Sequence, residues 1–390
     1  VARRWLFLLT LVFLGLRAPS AQAYPWLIKH GFAQCGNCHV DPMGGETLRG
    51  MGRAAGESLL AMPWGQATPS SFGQLLFGVP ESESVHVGGS VRGMMIGNLE
   101  TAKARAFPMQ LDLTAGFDLG DFTLAGSVGV SRASRRYEHA SKARVLGNVD
   151  EEGVLLVSRN YWLGYHIDDA WMVRLGRLNL PFGLRIPEHT QWVRSQTFTD
   201  RESDQQHGVS VVYAAGRWRG ELMASLGNYQ RPNDALRERG YVGHLEYLID
   251  LDWAVGVSSM ALTSERELNV DDGRVVRQAH GLTARYVFSQ PFVLLAEADV
   301  LSKTGSGLGY VGLATLDYEP TQGLHLALTG QVLDRGKSEL GAGLGRGEAQ
   351  YESWLTADWF FAPHFELRTD LVLRGGDRGQ LIQLQLHMYL

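Results

Sequence analysis

Glu319-Pro320-Thr321-Gln322-Gly323-Leu324-His325-Leu326-Ala327-Leu328-Thr329-Gly330-Gln331 is a short link running into an alternation. Leu324, Leu326 and Leu328 share one parity, and His325, Ala327, Thr329 and Gln331 share the other. Successive side chains of a strand point to opposite faces, so the run predicts one apolar face and one polar face. Ile382, Leu384, Leu386, Met388 and Leu390 alternate in the same way against Gln383, Gln385 and His387. A secreted β-sandwich also alternates, so the connections carry the decision. Strand-like runs fall at about 85–99, 107–118, 122–136, 153–167, 170–179, 207–215, 217–229 and 239–250. A further eight fall at 252–264, 275–289, 291–303, 307–319, 322–334, 349–361, 364–374 and 379–389.

After the even-numbered runs the links are very short: Gly120-Asp121, Asp168-Asp169, Gly216, Leu251, Gln290, Pro320 to Gln322 and Ala362-Pro363. After the odd-numbered runs, 137–152, 180–206, 230–238, 265–274 and 335–348 stand out as longer. Tight turns on one rim, loops on the other and an even count predict an all-β fold. It is a sixteen-stranded antiparallel outer-membrane β-barrel over 85–390. Both termini then face the periplasm of a Gram-negative cell. Runs this long exceed the ~9–11 residues a tilted strand needs to cross a bilayer. Tyr161, Trp171, Trp253, Tyr310, Trp359 and Phe365 lie near run ends, where interfacial aromatic girdles belong. Outer-membrane lipid is therefore the first expected partner. A net charge of −5 excludes a nucleic-acid binder held by a general basic surface. No stretch approaches 18 consecutive apolar residues, so any crossing must use strands.

Residues 1–23 read as a signal peptide: Arg3 and Arg4, an apolar run from Trp5 to Leu16, then Ala21-Gln22-Ala23. Residues 24–80 read as a separate, mainly helical segment with a linker holding Pro63, Pro69 and Pro80. Leu48, Met51, Ala55, Leu59 and Met62 recur at helical spacing and predict one apolar face between Glu46 and Met62. The segment is too short for a core of its own, and is expected to plug the lumen. The loop 180–206 is expected to fold into the lumen as well.

Cys35-Gly36-Asn37-Cys38-His39 holds the chain's two cysteines. Cys-x-x-Cys-His is the attachment pattern of a c-type haem: two thiols form thioethers with two vinyl groups, and the histidine ligates the iron. One motif predicts one covalent haem c, with Cys35 and Cys38 as attachment residues and His39 as proximal ligand. Export and the lack of a thioredoxin-like setting argue against a redox Cys-x-x-Cys. Distal ligand candidates are Met51, Met62, His30 and His86, beside an open or water-bound sixth site; Met43 stands too close to His39 in sequence. By parity, His86 and His387 point into the lumen on runs one and sixteen, neighbours in a closed barrel.

Arg174, Arg177, Arg185, Arg194 and Arg201 cluster on run five and its loop, as a constriction, an anion attractor, partners of haem propionates or simply ordinary polar lumen. Acids and histidines of the long loops, among them Glu188, His189, Asp200, Glu202, Asp204 and His207, show no metal-ligand spacing. No Ser-His-Asp set or catalytic carboxylate pair is apparent.

Gly176-Arg177-Leu178-Asn179-Leu180-Pro181-Phe182-Gly183 resembles a segment of phosphate-selective and related sixteen-stranded porins. With Pro25, Cys35, Cys38, His39 and Pro42, the whole arrangement resembles the fused monohaem cytochrome–porin family, whose better-known members are outer-membrane iron oxidases. The Val40-Asp41-Pro42-Met43-Gly44-Gly45 continuation departs from the iron-oxidising branch. The resemblance implies electron transfer between an extracellular donor or acceptor, ferrous iron among them, and a periplasmic electron carrier. Two alternatives stand beside it. One is a diffusion porin, anion-selective through its arginines, with the haem segment as plug or sensor. The other is a barrel sheathing a separate multihaem cytochrome.

Overall fold

The computed structural model describes residues 25–32, 34–45, 47–63, 82–133, 144–146, 153–186, 188, 191–200, 204–231, 233–266, 273–337, 348–376 and 378–390. The expected signal peptide, most of the linker, His189, Arg201 and Glu202 lie outside them.

The strands are β1 (Val85–Asn98), β2 (Lys103–Leu119), β3 (Phe122–Ala133), β4, β5 (Trp171–Leu178), β6 (Gln206–Ala215), β7 (Trp218–Gly227) and β8 (Arg239–Leu248). They continue as β9 (Trp253–Ser264), β10 (Val275–Ser289), β11 (Phe292–Lys303), β12 (Gly309–Thr321), β13 (Leu324–Asp334), β14 (Gln350–Ala362), β15 (Phe365–Arg374) and β16 (Leu381–Tyr389). β4 has two halves, Gly153–Val157 and Tyr161–His166, both paired with β3. A three-residue strand, Arg144–Leu146, pairs with its first half. Every neighbour is antiparallel, and β1 pairs with both β2 and β16. The sheet is a closed sixteen-stranded antiparallel barrel.

Two expectations change in detail. β2 begins at Lys103 rather than 107. The run 153–167 is interrupted at Ser158–Asn160, where Asn160 N and Arg159 N donate to Ser127 Oγ at 3.1 and 3.0 Å and the Arg159 side chain reaches Asp112 at 2.7 Å. Hydrogen bonds to a side chain replace the ladder there, so the strand breaks.

Outside, the barrel is apolar. Leu113, Leu163, Leu175, Leu222, Val257, Leu282 and Leu328 are exposed, alternating with buried polar residues. Near the short turns, aromatic rings pair round the wall: Phe122–Tyr165, Trp171–Tyr213, Trp218–Tyr247, Trp253–Tyr286 and Phe292–Tyr318. An apolar belt edged by aromatics is the exterior of a barrel solvated by lipid. Trp171, Trp253 and Trp359 belong to this rim; Tyr310 starts β12 at the long-loop end.

The loop after β5 turns inward. Leu180, Phe182, Leu184 and Ile186 are buried, and a short helix, Trp192–Thr197, follows. Gly183 N donates to Ser258 Oγ at 2.8 Å, Leu184 N to Glu297 Oε2 at 2.8 Å and Trp192 N to Gln331 Oε1 at 2.9 Å. These bonds carry the loop along the wall from β9 to β13. Residues 25–62 occupy the short-turn half of the same lumen.

Candidate functional site

Contacts from all round the wall hold residues 25–62. Lys29 Nζ meets Asp317 at 3.1 Å and Glu319 at 2.8 Å on β12. Trp26 lies 3.8 Å, centroid to centroid, from His325 on β13. Arg49 pairs with Asp118 on β2, and Asp41 with Arg174 on β5 at 2.9 Å. Met62 N donates to Phe360 O on β14 at 2.9 Å, and His364 pairs with Glu57 at 3.2 Å. Trp26, Leu27, Ile28, Phe32, Cys38 and Leu60 form one apolar cluster with Leu184 and Val193 of the inward loop. Plug, loop and wall therefore share a core, which a segment of this length cannot build alone.

The Lys29 side chain is 0% exposed between its two carboxylates. Removing one partner of a buried ion pair leaves uncompensated charge, at roughly 3–5 kcal/mol. Lys29→Ala is therefore expected to loosen the plug without opening the barrel. Limited proteolysis should cut 25–62 faster while the barrel keeps its heat-modifiable mobility in electrophoresis.

The Cys-x-x-Cys-His segment is local in its construction. Cys35–Asn37 is a 3-10 turn, with Cys38 N and His39 N both donating to Cys35 O at 3.1 and 3.0 Å. A hairpin follows: Val40 N donates to Thr47 O at 3.0 Å and Arg49 N to Cys38 O at 2.7 Å. Its tip holds Gly44 and Gly45 at φ 89° and 104°, the left-handed region that favours glycine. The Gly-rich continuation thus brings Gly45 O to 2.9 Å from His39 Nδ1. A carbonyl only accepts, so Nδ1 carries the proton and Nε2 the lone pair, as an iron-ligating imidazole requires. Both cysteines are free thiols and buried. Gly52 allows this packing: a Cβ there would stand 2.5 Å from Cys38 O.

The predicted helix is shorter than its pattern. It spans Gly50–Ala55 and widens into a π turn over Gly56–Leu60. Met51 is 39% exposed, whereas Gly52, Ala55 and Leu60 are buried. The helix is still two-sided, but its faces are turned from the predicted stripe: Met51, Ala54 and Ser58 share the exposed side at helical spacing, and Gly52, Arg53, Ala55 and Gly56 the buried one.

A small void of about 20 Å³ lies beside Cys35, lined also by Met43, His244, Arg185, Arg219 and Arg285. Arg219 Nη1 donates to Cys35 Sγ at 2.8 Å. The proposed distal residues stand elsewhere. Met51 is exposed, Met62 Sδ accepts from Trp359 Nε1 at 2.9 Å, His30 meets Glu319 at 3.1 Å, and His86 meets Asp118 at 3.1 Å. His387 is in the lumen as parity predicts, 2.9 Å from Ser90 Oγ and 2.8 Å from Glu366. Among the described residues, no group of three or more His, Cys, Asp or Glu could hold a metal ion.

The arginines of β5 and its inward loop are largely partnered within the lumen. Arg174 is shared by Asp41 and Glu221, Arg194 pairs with Glu297, and Arg177 donates to the Ser158 and Arg159 carbonyls. Buried guanidinium groups are costly unless paired, so acids sit opposite them. Arg219, His244, Glu246 and Arg285 were missed by sequence reasoning. Inward parity on β7, β8 and β10 was the available signal, but parity gives a face and not a height.

No protein-family model and no curated protein matches the chain. Among solved structures it is similar to OmpT of Vibrio cholerae, with TM-score 0.57 and 11% identity over 80% of this chain and 100% of that one. It is also similar to OmpF of Salmonella typhi, with TM-score 0.57 and 13% identity over 78% of this chain and 97% of that one. The anion-selective porin of Comamonas acidovorans gives TM-score 0.53 and 13% identity over 79% and 99%. The fold is a porin-like outer-membrane β-barrel.

Proposed function

We propose that this chain is an outer-membrane electron-transfer protein carrying one haem c, bound through Cys35 and Cys38 and ligated by His39. The observation that carries the reading is the buried Cys-x-x-Cys-His turn with His39 Nδ1 held by Gly45 O at 2.9 Å. When bound, the haem supplies a one-electron couple. The protein's own residues exclude lipid and bulk water, fix the imidazole, and surround the Cys35 thiol with guanidinium groups. The electron passes between an extracellular donor or acceptor, ferrous iron included, and a periplasmic carrier. A wide diffusion pore fits less well, because plug and inward loop share one apolar core across the lumen.

Purified mature protein should show a c-type spectrum that changes on adding ferrous iron or another donor. Denaturing electrophoresis should keep the haem with the chain. A haem-free band from cells competent in cytochrome c maturation would end the proposal.

Orientation is tested separately. Tags near Val145 or Leu340, the latter outside the described residues, should be reached by antibody on intact cells. Tags at Asp168-Asp169 should not. The reverse pattern would invert the barrel.

A further inference from the structure

The inward loop rests on two carboxyl groups of β11 that have one guanidinium between them. Glu297 and Asp299 stand two residues apart, so both point into the lumen, and both are buried, at 3% and 2% exposure. Glu297 Oε2 accepts from Leu184 N at 2.8 Å and pairs with Arg194, both from the loop. Glu297 Oε1 and both Asp299 oxygens are buried with no hydrogen-bond donor among the described residues. The two carboxyl groups are nevertheless in hydrogen-bonding contact with each other. An ionised carboxylate only accepts, so this contact is a hydrogen bond only when one of the two carries a proton. Charge balance asks for the same proton. Two carboxylates and one guanidinium leave a net negative charge in a place closed to water, and uncompensated buried charge is costly. Glu297 Oε2 is committed to the loop, so the proton belongs on Asp299, donated to Oε1. The neighbouring strands bring no charge in register with the pair: Gly281 and Thr283 face it from β10, and Val311 and Leu313 from β12. On β9, Ser258 Oγ accepts from Gly183 N and lies 2.9 Å from His244 Nδ1 of β8. Gly281 makes room for Asp299, since a Cβ there would stand 1.7 Å from Oδ1.

We propose that Asp299 and Glu297 share one proton, and that this proton seats the inward loop across the lumen. Losing it in alkaline solution leaves two adjacent anions beside one guanidinium. Admitting water relieves that charge and lifts Gly183, Leu184 and Arg194 off the wall. The seated loop binds one proton more than the lifted loop, so seating weakens as the pH rises, by at most about tenfold per pH unit. Leu184 and Val193 share an apolar cluster with Trp26, Leu27 and Cys38, so lifting the loop also loosens the plug. The device belongs to loop and wall, and it operates with or without a haem.

Tryptic cleavage after Arg194 in the full-length protein reads the seat, with heat-modifiable mobility confirming that the barrel is intact. The unaltered chain is compared with Asp299→Asn at each pH, which cancels the protease's own pH dependence. The asparagine amide still donates to Glu297 Oε1 and has no proton to lose, so its loop should stay seated throughout. Between roughly pH 7 and 9, a range in which buried carboxyl groups titrate, the cleavage ratio of unaltered chain to variant should climb severalfold. If Asp299→Asn fails to fold, Asp299→Ala takes its place: its loop is looser at every pH, but the ratio should climb in the same way. An infrared difference spectrum at neutral pH should show a protonated-carboxyl band in the unaltered chain that the variant lacks. A ratio constant with pH, or identical carboxyl bands in the two proteins, would overturn the proposal.

Discussion

Deleting residues 24–80 should raise single-channel conductance severalfold and remove the haem absorbance in the same preparation. Residues 25–62 meet β2 at Asp118, β5 at Arg174, β12 at Asp317 and Glu319, and β14 at Phe360, so they block much of one lumen half. A sixteen-stranded barrel without such a block holds an aqueous channel. The rise should stop short of a fully open pore. The inward loop loses its apolar contacts with the deleted segment but keeps its hydrogen bonds to the wall at Ser258, Glu297 and Gln331, so it stays in the lumen. Planar-bilayer recordings of both forms decide it. Unchanged conductance would mean that residues 25–62 do not occlude the lumen in the membrane.

The second large effect belongs to the motif. Cys35→Ser with Cys38→Ser should abolish haem stain on denaturing gels. His39→Ala should keep most of the stain and alter the spectrum of the attached haem. The single cysteine variants should differ in stability. Cys38 is 0% exposed within the apolar cluster, whereas Cys35 borders the void beside Arg219. A hydroxyl placed in apolar packing costs roughly 1–3 kcal/mol, so Cys38→Ser should unfold the plug more readily than Cys35→Ser. Equal proteolytic resistance of the two would contradict that placement. Gly52→Ala should act in the same direction, since its new methyl group would meet the Cys38 carbonyl.

Much of the barrel was legible because its rules are local. A strand facing lipid outside and polar lumen inside must alternate at every residue, and its turns must be short on one rim. Leu324 to Asp334 shows this: His325, Thr329, Gln331 and Leu333 are buried, while Leu326 and Leu328 are exposed. The motif was legible for the same reason. Cys35, Cys38 and His39 are joined by one turn, and spacing alone brings them together.

The plug was less legible. Helical periodicity put Met51 on the apolar face with Leu48 and Ala55, yet Met51 is exposed and Gly52 packs on Cys38. The exposed side is Met51, Ala54 and Ser58, so the buried face is rotated from the apolar stripe: small Gly52 and Gly56 lie on it, and a pattern of large apolar residues does not register them. The arginines of β5 and its loop were legible as a group but not as pairs. Arg174 finds Asp41 from the plug and Glu221 from β7, while Arg185 is left facing the void. The sequence by itself determined the barrel, its strand count and the Cys-x-x-Cys-His turn, because backbone alternation and short spacing act within a few residues. Only the tertiary structure decided which charges meet, which methionine approaches Cys35 and which arginines line the void beside it. Those depend on the height and stagger at which plug, loop and wall are brought together, and side-chain parity carries no information about either.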